Sequence, residues 1–161
     1  GQVLTAQGAG ADPAYASITT PTITRKTADE TVNNSAVLQN DDHLYLALGA
    51  NEVWAFELYL VFSSSATANF QAAFIVPSGA TADYMSVAVS SDVTYLAYHA
   101  AAPNYVVVRG QGANSGIIIR GVVVNGATAG NLQFQWAQAT AEVSDTIIRA
   151  NSYLIAHKVA G

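Results

Sequence analysis

The run Glu52-Val-Trp-Ala-Phe-Glu-Leu-Tyr-Leu-Val-Phe62 constrains this chain more than any other stretch. Large apolar residues fall at every second position: Trp54, Phe56, Leu58, Leu60 and Phe62. A period of two is the period of a β-strand, so the segment predicts a long strand with one face in a core. The alternate residues, Val53, Ala55, Glu57, Tyr59 and Val61, are also mostly apolar, whereas a strand with one wet face alternates apolar with polar. The second face therefore predicts a cover, either another sheet of the same domain or a neighbouring copy of the chain. In such a seam Glu57 requires a partner for its carboxylate.

From Thr27 onward, short runs rich in β-branched and aromatic residues alternate with Gly, Asn, Ser, Asp or Pro. Strands are predicted near 36–39, 44–48, 52–62, 70–76, 85–89, 94–99, 105–109, 116–124, 131–138 and 152–159. Asn40-Asp41-Asp42 predicts a tight turn, and Gly49-Ala50-Asn51 a corner between two strands. Asn125-Gly126 and Gly130 supply positive φ where the chain reverses, so the strands on either side are expected to be hairpin partners. In the second of them Leu132, Phe134 and Trp136 point one way, and Gln133 and Gln135 the other. The closing strand is apolar on both faces, as a central strand would be.

Helical periodicity never persists. The expected fold is all-β: an antiparallel jelly-roll-like β-sandwich over residues 25–161, preceded by an extended N-terminal arm over 1–24. An immunoglobulin-like sandwich is the other architecture of this size, but its cysteine pair is missing, since the chain has no cysteine. In the arm, Gly8, Gly10 and Pro13 mark turns, and Val3, Leu4 and Tyr15 are apolar residues that a freely flexible tail does not need.

Charged residues make up 11% of the chain, against roughly 25% in an average soluble protein. Such a deficit fits a surface reserved for contacts between subunits. The net charge is −5 and the six basic residues are scattered, so no nucleic-acid partner is expected. No basic amphipathic helix is present, and the apolar run around Leu60 is shorter than the ~20 residues of a spanning helix, so no membrane partner is expected either.

Catalytic constellations are lacking. Glu52 and Glu57 lie on opposite faces of one strand, too far apart for paired-carboxylate glycoside chemistry. Glu142 and Asp145 read as a solvated loop. His99 and His157 have no Gly-x-Ser-x-Gly motif and no Cys to activate, and Gly110-Gln111-Gly112 lacks the rest of a phosphate-binding glycine motif. Asp41-Asp42-His43 is the only dense group of potential metal ligands, but adjacent side chains in an extended segment diverge. The reading is a protein that is not an enzyme and holds no metal or cofactor. Tyr84, Tyr95, Tyr98 and Tyr105, near Asn104, Gln111 and Asn114, form the one candidate glycan-binding region, combining planar rings with amides; the same rings equally suit a subunit interface.

The leader Gly1-Gln2-Val3-Leu4-Thr5-Ala6-Gln7-Gly8-Ala9-Gly10, followed by Pro13 and Tyr15, resembles the Gly-x-Val-Leu-Thr-x-x-Gly-x-Gly-x-x-Pro segment of tailed-bacteriophage fibre and virion proteins. The body is similar to a module of phage structural proteins. Its landmarks are Arg25-Lys26-Thr27-Ala28-Asp29-Glu30, Leu38-Gln39-Asn40-Asp41-Asp42-His43-Leu44, Ala50-Asn51-Glu52-Val53-Trp54, Leu132-Gln133-Phe134-Gln135-Trp136-Ala137-Gln138 and Ser152-Tyr153-Leu154-Ile155-Ala156. The resemblance implies a β-rich, often trimeric module displayed on the virion. Within it the expectation is a capsid decoration protein on the exterior of the head, partnered by its own copies and by the major capsid protein. Val3, Leu4 and Tyr15 would anchor it to the capsid, and Val53, Ala55, Glu57, Tyr59 and Val61 would form the seam between subunits. The alternative address is a tail-fibre tip that recognises host glycans through the tyrosines.

Overall fold

In a computed structural model the described residues are 2–5, 14–17, 20–89, 94–99 and 105–161, with backbone alone for 5, 14–17, 89 and 94–99. The strands are β1 (Gln2–Thr5), β2 (Ala14–Ser17), β3 (Thr22–Arg25), β4 (Glu30–Asn33), β5 (Gln39–Leu48), β6 (Val53–Ser63) and β7 (Phe70–Ile75). They continue with β8 (Thr81–Val89), β9 (Thr94–His99), β10 (Val106–Val108), β11 (Asn114–Val124), β12 (Gly130–Gln138), β13 (Asp145–Ile148) and β14 (Tyr153–Ala160). No helix occurs among the described residues.

Two antiparallel sheets form a sandwich. One has the order β10-β7-β12-β5, and the other β3-β14-β6-β11-β8-β9, with β13 pairing β4 and the end of β6. The winding of β5 to β12 follows one rule. β8 pairs β9, β7 pairs β10, β6 pairs β11 and β5 pairs β12, all antiparallel. A two-stranded ribbon is thus folded across the two sheets, which is the jelly roll expected from the strand pattern. Beyond it, β14 and β3 extend the larger sheet past β6, so β14 is central, as its two apolar faces predict.

β6 is the spine of the larger sheet. It pairs with β11 over its full length, from Val53↔Val124 to Ser63↔Asn114, and with β14 on its other edge. Phe56, Leu58, Leu60 and Phe62 point inward and are buried, whereas Trp54, at the strand's start, is only partly buried against the core. The inner face meets Leu44, Leu46, Leu48, Phe70, Phe74, Leu132, Phe134 and Trp136 from the smaller sheet. Ring contacts cross between the sheets: Phe62 stacks on Phe70 at 4.3 Å, and Phe56 meets Phe74 edge-on at 5.2 Å.

Two local expectations change. Val124 and Leu132 do not flank a hairpin: β11 lies in the larger sheet and β12 in the smaller, so residues 125–129 carry the chain from one sheet to the other. Asn125 is buried and holds this corner, donating through Nδ2 to Gly49 O (2.6 Å) and Thr128 O (3.0 Å). The Gly49–Asn51 corner makes the matching passage from β5 to β6, with Asn51 at φ 60. Asn40-Asp41-Asp42 is not a turn between strands; it lies within β5, where the register with β12 slips between Gln133 and Gln135. The Asp41 carboxylate stabilises this bulge by accepting the N–H groups of His43 and Leu44, each at 2.9 Å.

The predicted strand at 36–39 is absent apart from Gln39, and β3, β4 and β13 are additional. Short polar sequences such as Glu30-Thr-Val-Asn33 lack the apolar alternation that marks a strand. β3 crosses the boundary expected between arm and sandwich at residues 24 and 25, and joins the sheet. In the arm, β1 and β2 pair as a separate two-stranded sheet, with Leu4↔Tyr15 in register.

Candidate interaction face

The outward residues of β6 lie on a broad apolar sheet face. Registers place Val124, Val122, Arg120, Ile118 and Gly116 beside Val53, Ala55, Glu57, Tyr59 and Val61. Tyr153, Ile155 and His157 flank Tyr59, Glu57 and Ala55 on the other side. Beyond β11, Val87, Met85 and Asp83 continue the face. The five β6 residues are only half-buried, and Met85 (42%), Val122 (43%), Val124 (47%) and Val159 (60%) are exposed. Neither sheet of the sandwich supplies the expected cover among the described residues, because the two bury their inner faces against each other.

Glu57 has the partner its position demanded. Arg120 Nε donates to its Oε2 at 2.5 Å across the β6·β11 pair, leaving a self-neutralised ion pair in an apolar field. A depression of about 500 Å³ beside it is lined by Ala55, Phe56, Glu57, Arg120, Gly121, Ile155 and His157. Nearby, Tyr59 and Tyr153 stack with centroids 5.4 Å apart. The arrangement offers flat apolar area, one pre-paired charge and aromatic surface, which is what a protein partner would bury.

The tyrosines proposed for glycan contact do not form one platform. Tyr84 is a correction: it is 2% exposed and packs edge-on against Phe74 at 5.3 Å. The strand's alternation sends Ala82, Tyr84, Ser86 and Ala88 inward, and Gly121 on β11 leaves room for the ring, since a Cβ there would sit 2.6 Å from Tyr84 Cβ. Tyr105 is exposed. Tyr95 and Tyr98 occupy β9 positions opposite Ala88 and Met85, and their side chains lie outside the described residues, as does Asn104. Of the arm's proposed anchors, Val3 (43%) and Leu4 (61%) are exposed, and the side chain of Tyr15 is outside the described residues.

The acidic groups weighed for chemistry have structural partners. Glu52 accepts from Lys158 Nζ (2.8 Å), Trp54 Nε1 (2.9 Å) and Gly49 N (2.7 Å). These bonds, the Lys158 contact foremost, push its carboxyl down to about 2. Hydroxyl donation, first from Ser144 and then from Ser65, holds Glu142 below the usual carboxylate range, and Asp145 accepts from Asn33 Nδ2 at 2.9 Å.

A second cluster lies where β3 ends. Lys26 is fully buried, and its Nζ donates to Asp41 Oδ2 at 2.7 Å and Glu30 Oε2 at 2.5 Å. Glu30 Oε1 accepts from Gln39 Nε2 at 3.0 Å. Of the sequence group Asp41-Asp42-His43, Asp42 is exposed and stands apart. Glu30 takes its place: its ligand atom and those of Asp41 and His43 lie within 4.8 Å of one another. The positive charge between the two carboxylates is the Lys26 ammonium. The sequence does not single out Lys26 or Glu30 as a site residue, because the lysine lies fifteen positions before Asp41, with the strand β4 between them.

No protein-family model matches the chain, and no curated protein matches it. Among solved structures it aligns with the infectious bursal disease virus VP2 subviral particle at 11% identity and a TM-score of 0.22, over 96% of this chain and 45% of that one. The Gx strain of the same virus gives 10% identity and 0.19 over 96% and 43%, and the Gt strain 14% and 0.20 over 98% and 41%. The chain thus spans less than half the length of each of these viral chains.

Proposed function

We propose that this chain is a phage virion structural protein, a trimeric decoration protein on the exterior of the capsid, with no enzymatic role. The observation that carries the reading is the open apolar face built on β6, in a chain with only 11% charged residues. In the trimer, Val53, Ala55, Tyr59 and Val61 meet a neighbouring copy, and the Glu57–Arg120 pair enters the seam already neutralised. The leader and the body landmarks that resemble phage virion proteins supply the address. Threefold assembly suits the threefold positions of an icosahedral shell, and gripping several capsid subunits stabilises the shell by linkage.

The test is the mass of the purified chain by light scattering, followed by mixing with undecorated capsids of its source phage. A trimer that saturates the shell at a fixed ratio supports decoration. A trimer that ignores capsids overturns it in favour of a tail-fibre tip, and a monomer removes the seam. Deleting residues 1–20, which takes away β1 and β2 and spares β3, should abolish attachment while the sandwich stays folded. Retained attachment would remove Val3, Leu4 and Tyr15 as anchors.

A further inference from the structure

The Lys26 cluster is assembled as a reaction site and not only as an ion pair. The side chains of Lys26 and Asp41 are both 0% exposed, and their contact is 2.7 Å. The two oxygens of Asp41 have different environments. Oδ2 faces the lysine, whereas Oδ1 accepts two backbone N–H groups, from His43 and Leu44, each at 2.9 Å. Paired N–H donors on one carboxyl oxygen are what stabilises negative charge on that oxygen when a nucleophile adds to the carbon. A second carboxylate, Glu30, touches the same Nζ at 2.5 Å and is steadied by Gln39. Nucleophile, electrophile, oxyanion donors and proton carrier thus meet at one point, with Lys26 and Asp41 themselves shut away from water and Glu30 at the margin of the site, its side chain 16% exposed.

We propose that Lys26 and Asp41 condense into an intramolecular isopeptide bond, with Glu30 relaying protons and the N–H groups of His43 and Leu44 holding the carboxyl oxygen. One proton leaves the ammonium through Glu30, and the freed lone pair of Nζ attacks Asp41 Cγ. A C–N bond forms and the charge gathers on Oδ1, facing its two donors. On collapse the Cγ–Oδ2 bond breaks. Oδ2 departs as water with two of the three ammonium protons, the third stays on the amide nitrogen, and Glu30 ends as it began. No oxidant or cofactor is consumed, and a buried ion pair, costly to desolvate, becomes a neutral amide.

The bond would join two layers. The Lys26 backbone is fixed beside β14, donating to Ser152 O at 2.8 Å and accepting from Asn151 N at 2.9 Å, so it belongs to the edge of the larger sheet. Asp41 sits in the bulge of β5 in the smaller sheet. The link therefore clamps the edge strand β3 to the opposite sheet, and it stands apart from the virion reading.

The experiment is the intact mass of the full chain, purified folded and then denatured. The expected mass is that of the sequence less one water, with the fragments on either side of Glu30 still joined after cleavage there. Lys26→Met and Asp41→Ala should restore the full sequence mass. Asp41→Asn should lose one ammonia instead of water, because the same attack then expels an amide nitrogen. Glu30→Gln, folded by circular dichroism, should keep the full mass. A wild-type chain that holds its full mass after prolonged incubation in the folded state overturns the proposal. A Glu30→Gln chain that loses water at the wild-type rate removes Glu30 as the relay.

Discussion

Glu52 shows how a residue outside any strand organises its surroundings. Its carboxylate gathers the N–H of Gly49, the Trp54 indole and the Lys158 ammonium, joining the β5–β6 corner to the last strand. Its pKa falls from an ordinary 4.5 to about 2 on folding. Because the folded value is the lower one, the stabilisation is complete above pH 4.5 and is lost as pH falls through 2. Its size is on the order of 3 kcal/mol at most. Urea unfolding of the wild type and of Glu52→Gln should therefore differ most near neutrality and converge at the acid end. Two curves that remain parallel from pH 7 down would contradict this role.

At the scale of elements, the molecule depends on a ribbon that changes sheet at defined corners. Asn125 is the clearest device. Its side chain closes the passage from β11 to β12 and pins it to Gly49 at the corner where β5 becomes β6. Its backbone N–H adds a bond to Glu52 O at 2.8 Å. Asn125→Ala leaves two carbonyls without their donor in a half-closed site and should destabilise by about 1–3 kcal/mol, read as a lower urea midpoint. Amide exchange should quicken first at the ends of β6 and β12 nearest these corners. β6 itself has no such weak point, since it is paired on both edges and packed along its inner face.

At the scale of the whole molecule, the sandwich satisfies one side of the larger sheet and leaves the other open. Ile118 lies near the middle of that side, opposite Tyr59 and Val87 and next to the Glu57–Arg120 pair. Ile118→Glu places an unpaired carboxylate in the seam while touching no core contact of the single chain. The expected result is a folded protein whose light-scattering mass falls to that of one chain. An unchanged oligomer would mean that copies meet elsewhere.

The sequence by itself determined the strands of the jelly roll, because a period of two is written into each stretch by the geometry of the backbone. It assigned Leu132, Phe134 and Trp136 to a core face and gave β6 two apolar faces, and the structure puts Leu132, Phe134 and Trp136 at 0% exposure. It also demanded a partner for Glu57, although not which one. What it left open was long-range choice. Apolar strands of similar length bury against one another almost interchangeably, so a loop with turn residues between 124 and 132 looks the same in a hairpin as in a crossing between sheets. Tyr84 failed as a surface residue for a related reason: whether an alternating tyrosine faces in or out depends on the strand's register with its neighbours. The meeting of Lys26, Glu30 and Asp41 was likewise decided only in three dimensions, where an edge strand and a bulge of the opposite sheet bring together groups that the chain holds fifteen residues apart.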